Sequence, residues 1–107
     1  MSSYLTDYRQ HVGAKPDKFY KATLFRGDFL MIGLNCLEPG QVQSVHDHAD
    51  QDKFYLVLEG IGVFTVDDVE QEAGPGQIVW TPAGVPHGVR NAGEERLVLL
   101  VGMAPPP

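Results

Sequence analysis

The chain has 107 residues, of which 43% are hydrophobic and 21% charged, a balance typical of one folded globular domain rather than a disordered segment. Its 14 acidic residues outnumber the 8 basic ones, and the formal net charge of -6 argues against binding to nucleic acid or to an anionic membrane surface. The 12 glycines and 8 prolines indicate many turns between short strands rather than a helical bundle.

The compartment is inferred from cysteine usage and from the lack of targeting signals. The single cysteine, Cys36, cannot form an intramolecular disulfide, and the first 20 residues contain no apolar signal-peptide core. No stretch approaches the roughly 18 apolar residues that a membrane helix needs. We therefore expect a cytoplasmic protein, with Cys36 as an inert buried side chain.

The first predicted element, residues 1–18, is a polar amino-terminal arm that forms either a short helix or an extended segment. Pro16 ends it, because the residue before a proline disfavours the helical region. Residues 19–104 are predicted to form a β-barrel domain. Residues 105–107 are a tail of three prolines, which ends the last strand because proline has no backbone N–H to donate.

The predicted barrel contains eight strand-length runs bounded by Gly, Pro, Asp and Asn turn signals. In chain order they are residues 19–25, 29–37, 41–48, 54–58, 61–66, 77–81, 85–90 and 96–103. Strands of this length, recurring about every 8–12 residues, predict an antiparallel sandwich or barrel. No run of ten or more residues has a helical period, so the fold class is all-β.

Two histidines lie close together in the third of these runs. His46 and His48 are two residues apart, so in a strand their side chains share one face and can hold a single divalent metal ion. The spacing equally fits two surface histidines beside the acidic loop at residues 47–52. His87 lies about 40 residues further on and follows the tight turn at residues 82–84.

Two longer motifs frame these histidines. The first consists of Gly40, His46, His48, Lys53 and Gly60, and after a gap of 15 residues the second consists of Gly76, Pro82, Gly84, His87 and Asn91. In order and spacing the two motifs resemble those of the cupin superfamily. The resemblance runs from residue 19 to residue 103, and the chain is identified as similar to a small single-domain cupin.

The resemblance implies a fold and a cofactor. Such cupins are double-stranded β-helices, or jelly-roll barrels, and usually form homodimers by strand exchange or sheet packing. Within the barrel, two histidines and a glutamate of the first motif and one histidine of the second bind a metal. His46, His48 and His87 match three of these four positions, so the implied cofactor is a divalent metal ion such as Fe, Mn, Ni or Zn.

The glutamate position holds Lys53, whose ammonium cannot bind a metal and is repelled by a cation. Three arrangements remain open. In the first the three histidines and water hold the metal, and in the second Gln51 or Asp52 supplies an oxygen ligand. In the third no metal binds, and the Lys53 amine reaches toward the place that a metal would occupy.

Lys53 itself has two interpretations. It acts as a base or an anion-binding group inside the barrel, or it pairs with Glu59, Asp50 or Asp52. By strand alternation Tyr55 shares its face, so Tyr55 either lines the substrate pocket or is a core tyrosine bonded to the backbone. Trp80 is assigned to the core or to a dimer interface.

The resemblance supports more than one function. The first is a metal-dependent enzyme acting on a small organic molecule, with an Fe(II)-type dioxygenase preferred over an isomerase or lyase. The second is a non-catalytic module that binds a small molecule or metal, and the third is a dimer scaffold with a vestigial pocket. The sequence assigns neither a catalytic residue nor a substrate.

Overall fold

The computed structural model describes residues 3–107, so the first two residues of the predicted arm lie outside it. The described chain contains one short 3-10 helix, Tyr8–Gln10, followed by strands only. The strands, numbered in chain order, are β1 (Tyr20–Arg26), β2 (Met31–Leu37), β3 (Val42–His46), β4 (Asp52–Glu59), β5 (Gly62–Val66), β6 (Val69–Ala73), β7 (Ile78–Thr81), β8 (His87–Arg90) and β9 (Leu97–Ala104).

The nine strands form two antiparallel sheets. One sheet has five strands in the order β1-β2-β9-β4-β7, and the other has four in the order β3-β8-β5-β6. Apart from the β1–β2 and β5–β6 hairpins, neighbouring strands come from distant parts of the chain, as in a double-stranded β-helix. The predicted all-β jelly-roll fold is therefore confirmed.

The core lies between the inner faces of the two sheets. Its buried hydrophobic side chains are those of Leu37, Tyr55, Val57, Phe64, Ala73, Val89, Leu97, Leu99, Val101 and Met103. Along β4 and β9 these residues alternate, because successive side chains of a strand point to opposite faces. The alternation also sends Lys53, on β4, to the inner side.

A second, smaller core covers the outer face of the five-stranded sheet. Leu34, Cys36 and Val98 are buried there, and Tyr8 and Val12 of the arm pack against them. Residues of β9 are therefore buried on both faces, which explains why residues 97–101 form an uninterrupted apolar run. The buried Cys36 thiol has a raised pKa because of its burial, consistent with an inert side chain.

Strand β6 was not predicted from the sequence. It follows a two-residue turn in which Asp67 and Asp68 both have positive φ angles, 51° and 63°, as in a type I′ hairpin. Its central residues are polar and exposed because β6 is the edge strand of the four-stranded sheet. An edge strand that buries so little has no alternating apolar pattern to reveal it.

Trp80 does not belong to the core. It lies on β7, the edge of the five-stranded sheet, and 54% of its surface is exposed. The core assignment from sequence is therefore wrong, and the dimer-interface assignment stays a prediction. Within residues 3–107, no helix has the length and apolar character required to cross a membrane.

Replacing Gly60 with alanine is expected to destabilise the barrel by about 2–4 kcal/mol. Gly60 has a φ of 79°, and an added Cβ would collide with the main-chain oxygen of Arg96. Gly40→Ala is a matched control, because Gly40 has a φ of 86° but open space around the added Cβ. Urea unfolding measures both, and equal losses would show that the Arg96 contact is unimportant.

Candidate metal centre

Three histidines converge at one end of the space between the sheets. His46 ends β3, His87 begins β8, and the two are paired across neighbouring strands. The ring centroids of His46 and His87 are 4.5 Å apart, and those of His46 and His48 are 4.8 Å apart. One potential ligand atom from each of the three side chains lies within 4.8 Å of the others. Residues far apart in sequence are thus brought into one cluster.

Main-chain carbonyls orient two of the three rings. The Nδ1 atom of His46 lies 2.7 Å from the Ser44 carbonyl oxygen, and that of His87 lies 3.0 Å from the Val85 oxygen. Because a carbonyl only accepts, each Nδ1 carries the proton and donates it, which leaves Nε2 with a free lone pair. This is the arrangement usually found around a metal-binding histidine.

The environment of the His87 Nε2 atom distinguishes this cluster from ordinary buried histidines. His87 is only 2% exposed, and its Nε2 is completely buried with no hydrogen-bond partner within residues 3–107. A buried polar atom without a partner costs free energy, so such atoms are rare. A divalent metal ion would satisfy this lone pair, and the donor set therefore fits a metal.

His87 and His48 both favour the neutral form that a metal requires. Burial lowers the pKa of His87 to about 4, with a smaller contribution from the nearby Lys53 charge. Burial and then Lys53 also lower the pKa of His48. Near neutral pH a metal would therefore not have to displace a proton from either ring.

The metal-free protein is expected to lose about 2 kcal/mol of stability between pH 7 and pH 5 through His87 alone. The folded-state pKa of His87, about 4, lies below its ordinary value of 6.5. The unfolded chain therefore binds more protons in this window, and stability falls as the pH drops. Chemical unfolding as a function of pH measures the slope. His87→Gln should flatten it, and an unchanged slope in this variant would contradict the burial argument.

Lys53 is buried beside the histidines, with only 4% of its surface exposed. Its Nζ atom lies 4.7 Å from the centre of the Tyr55 ring, a cation–π contact. Burial, with a contribution from Lys21, lowers its pKa to about 8. The side chain therefore remains largely charged at neutral pH but is easily deprotonated.

Lys53 has no carboxylate partner within residues 3–107. Glu59 instead pairs with Arg96 at 3.1 Å, and Asp52 accepts the Ala83 main-chain N–H at 2.9 Å. The sequence-based interpretation that Lys53 pairs with Glu59, Asp50 or Asp52 is therefore wrong.

The other candidate ligands are engaged elsewhere. The described group of potential metal-binding side chains consists of the three histidines and does not include Asp52. The side-chain amide of Gln51 donates to the Pro105 carbonyl oxygen at 3.2 Å. Of the two arrangements with a metal, the one with three histidines and no protein carboxylate is therefore favoured, and the arrangement without a metal stays open.

Tyr55 is a core residue rather than part of the cavity wall. It is fully buried, and its hydroxyl donates to Oε1 of Gln43 at 2.5 Å, a side chain rather than the backbone. Gln43 does line the cavity, although it was not predicted to. Strict alternation places Gln43 and His46 on opposite faces, but a β-bulge between them brings both side chains to the same cavity.

His46 and His48 open onto a cavity of about 540 Å³ between the sheets, and His87 lies behind them. It is lined by Lys21, Ala22, Thr23, Arg26, Met31, Gly33, Asn35, Gln43, His46, His48, Lys53, Val101, Met103 and Pro107. This volume suits a small organic molecule. Half of the lining comes from β1 and β2, whose inward faces could not be identified before the strand pairing was known.

A family model described as a cupin domain (Cupin_2) matches residues 33–103 of the chain. The chain belongs to the cupin family. This cupin is also similar to a solved structure, TT1209 from Thermus thermophilus, with 38% sequence identity and a TM-score of 0.94. The similarity covers 98% of this cupin and 100% of the Thermus chain.

Two curated proteins are similar in sequence to this cupin. "Uncharacterized protein SCO3923" of Streptomyces coelicolor is 35% identical over 72% of this chain and 71% of its own length. "Dimethylsulfoniopropionate lyase DddW" of Ruegeria pomeroyi is 35% identical over 70% of this chain. The match spans only 48% of the lyase, about half of its length.

Proposed function

We propose that His46, His48 and His87 hold one divalent transition metal ion, and that the protein is a metal-dependent enzyme acting on a small organic molecule. The observation that carries this proposal is the buried Nε2 of His87, which has no partner within residues 3–107 and lies beside two other imidazoles that line a partly enclosed cavity. The proposed ion is Fe, Mn, Ni or Zn, since imidazole suits all four.

The donor set and the cavity support catalysis. Three neutral imidazoles add no negative charge, so they leave a divalent ion strongly electrophilic and with open coordination positions. A metal bound there would polarise an oxygen atom of the substrate and, as Fe(II), would provide the site of dioxygen activation.

The residues around the histidines position a substrate. Because Oε1 of Gln43 accepts the Tyr55 hydroxyl proton, the NH2 group of Gln43 is oriented to donate to a substrate oxygen in the cavity. Lys53 lines the same cavity and supplies either a positive charge or, when deprotonated, a base.

The first candidate reaction is an Fe(II)-dependent oxygenation. A lyase reaction is the second candidate, and the specific support for it is Lys53, a buried amine with a pKa of about 8 that faces the cavity. In such an elimination the neutral amine would take a proton from the carbon next to an activated group, while a carbon–carbon double bond forms and the leaving group departs with its electron pair. The similarity to the Ruegeria lyase over 75 residues also supports a lyase reaction.

The test begins with protein purified without an affinity tag, treated with a chelator and reconstituted anaerobically with Fe(II), Mn(II), Ni(II) or Zn(II). We expect about one bound equivalent of a preferred metal, as for a single site. Turnover of small organic substrates should then depend on that metal and should disappear in His46→Ala.

The same experiment separates the alternatives. Substrate-dependent oxygen consumption identifies an oxygenase, whereas product formation without oxygen identifies a lyase. Less than about a tenth of an equivalent of every metal would contradict the proposal. Full metal binding without turnover, together with a ligand-induced rise in melting temperature, would instead identify a non-catalytic binding module.

A further inference from the structure

The wall of the cavity has a charge opposite to that of the whole chain. Three of the lining residues are basic, namely Lys21, Arg26 and Lys53, and the described lining contains neither Asp nor Glu. The chain as a whole has 14 acidic and 8 basic residues. A concave site lined by one sign of charge concentrates ligands of the opposite sign.

Strand register places two of these cations on one row of the five-stranded sheet. Lys53 on β4 pairs with Met103, Met103 with Met31, and Met31 with Arg26 on β1. Three strand spacings separate the ends of this row, about 14 Å between backbones. Long side chains of Arg26 and Lys53 can therefore reach toward each other across a floor made by the two methionines.

Within the described chain, no Asp or Glu side chain neutralises these three cations. Within residues 3–107, none of them forms an ion pair with a carboxylate side chain. Arg26 donates one N–H to the main-chain oxygen of Pro107 at 2.6 Å and keeps its remaining donors. Like charges that share a partly enclosed site repel one another, and an anionic ligand removes that repulsion.

We propose that the cavity binds a small organic acid, with its apolar part on Met31 and Met103 and its carboxylate on Lys21, Arg26 and Lys53. Guanidinium and ammonium groups form the strongest hydrogen bonds to carboxylates, and the methionine floor accommodates a carbon skeleton. The inference rests on the proposed function in one respect, since it makes this acid the substrate of the neighbouring histidine centre.

The test uses succinate, its neutral diamide succinamide, and inorganic phosphate as probes, at constant ionic strength. Binding is measured by calorimetry on both metal-loaded and chelator-treated protein. We compare wild type with Arg26→Gln and Lys53→Met, and with Lys18→Gln as a control that removes an exposed charge outside the cavity. Circular dichroism confirms that each variant is folded.

We expect succinate to bind and succinamide not to bind. Arg26→Gln and Lys53→Met should each weaken succinate binding at least about tenfold, as for the loss of a charge-assisted hydrogen bond, and Lys18→Gln should not. Equal binding of succinate and succinamide, or equal weakening by all three substitutions, would overturn the inference. Tighter binding of phosphate than of succinate would also overturn it, because the site would then recognise an inorganic anion.

The chelator-treated arm separates this inference from the proposed function. If no metal binds but succinate still binds through Arg26 and Lys53, the anion site is supported and the metal-dependent function is contradicted. If a metal binds and small substrates turn over, but neither substitution changes succinate affinity, the metal-dependent function is supported and the organic-acid site is contradicted.

Discussion

Replacing His46 with alanine is expected to lower the affinity for a divalent metal by more than about 100-fold. Loss of a residue that only hydrogen-bonds to a metal ligand already costs about 10–100-fold, and His46 is itself a proposed ligand. The substitution removes one of three nitrogen donors, and within the described cluster no carboxylate can take its place. His46 is only partly buried at the end of β3, so the fold should tolerate the change. Competition with a metal-sensitive dye measures the affinity.

The fourth histidine provides a matched control. His11 lies in the arm, where its Nε2 is 2.7 Å from the Thr6 hydroxyl oxygen, and it does not belong to the cluster. His11→Ala should therefore leave metal affinity unchanged. If His11→Ala and His46→Ala lose the same affinity, the metal is bound elsewhere or non-specifically.

Replacing Lys53 with methionine is expected to stabilise the metal-free protein by about 2–3 kcal/mol at pH 7. The ordinary lysine pKa of 10.5 falls to about 8 in the folded protein, so holding the charged form in this buried site costs free energy. Between pH 8 and 10.5 the unfolded chain binds more protons, and wild-type stability rises with pH. The advantage of the variant should therefore vanish above about pH 10.5.

Unfolding of wild type and Lys53→Met in urea, from about pH 6 to about pH 11, measures this difference on both sides of the two pKa values. Lys18→Met is the control, because Lys18 is exposed and lies outside the cavity. A stability difference for Lys53→Met that does not change with pH would mean that the gain comes from packing and not from removal of a buried charge.

The same position is expected to control metal affinity. Lys53→Glu removes a like charge and places a carboxylate at the position where the family pattern has one, so metal should bind at least about tenfold more tightly. Lys18→Glu makes the same change in net charge at an exposed site and should have little effect. Equal affinities for wild type and Lys53→Glu would show that Lys53 does not act on the histidine centre.

The amino-acid sequence was sufficient to predict the fold and the clustering of the three histidines. Turn residues separate the strands, and His46, His48 and His87 occupy motif positions, so both could be inferred without coordinates. The edge strand β6 escaped prediction because it buries almost nothing. The core alternative for Trp80 was wrong because an aromatic residue in an apolar strand is usually buried, whereas this edge strand exposes it.

The cavity wall could not be predicted because it depends on register. The bulge between Gln43 and His46 reverses the alternation of β3, and only strand pairing places Arg26 on the same row as Lys53. The absence of an ion pair at Lys53, within the part of the chain that the structure describes, also depends on where nearby carboxylates point. Asp52 is adjacent in sequence but bonds to Ala83.

Anomalous X-ray scattering at the absorption edges of Fe, Mn, Ni and Zn, from native crystals and from crystals soaked with each metal, would locate an ion bound by the three histidines. We expect one strong peak at about 2.0–2.1 Å from one ring nitrogen of each of His46, His48 and His87, with Nε2 of His87 as a ligand. No anomalous peak at the three histidines, in crystals soaked with each metal in turn, would contradict the proposed metal site.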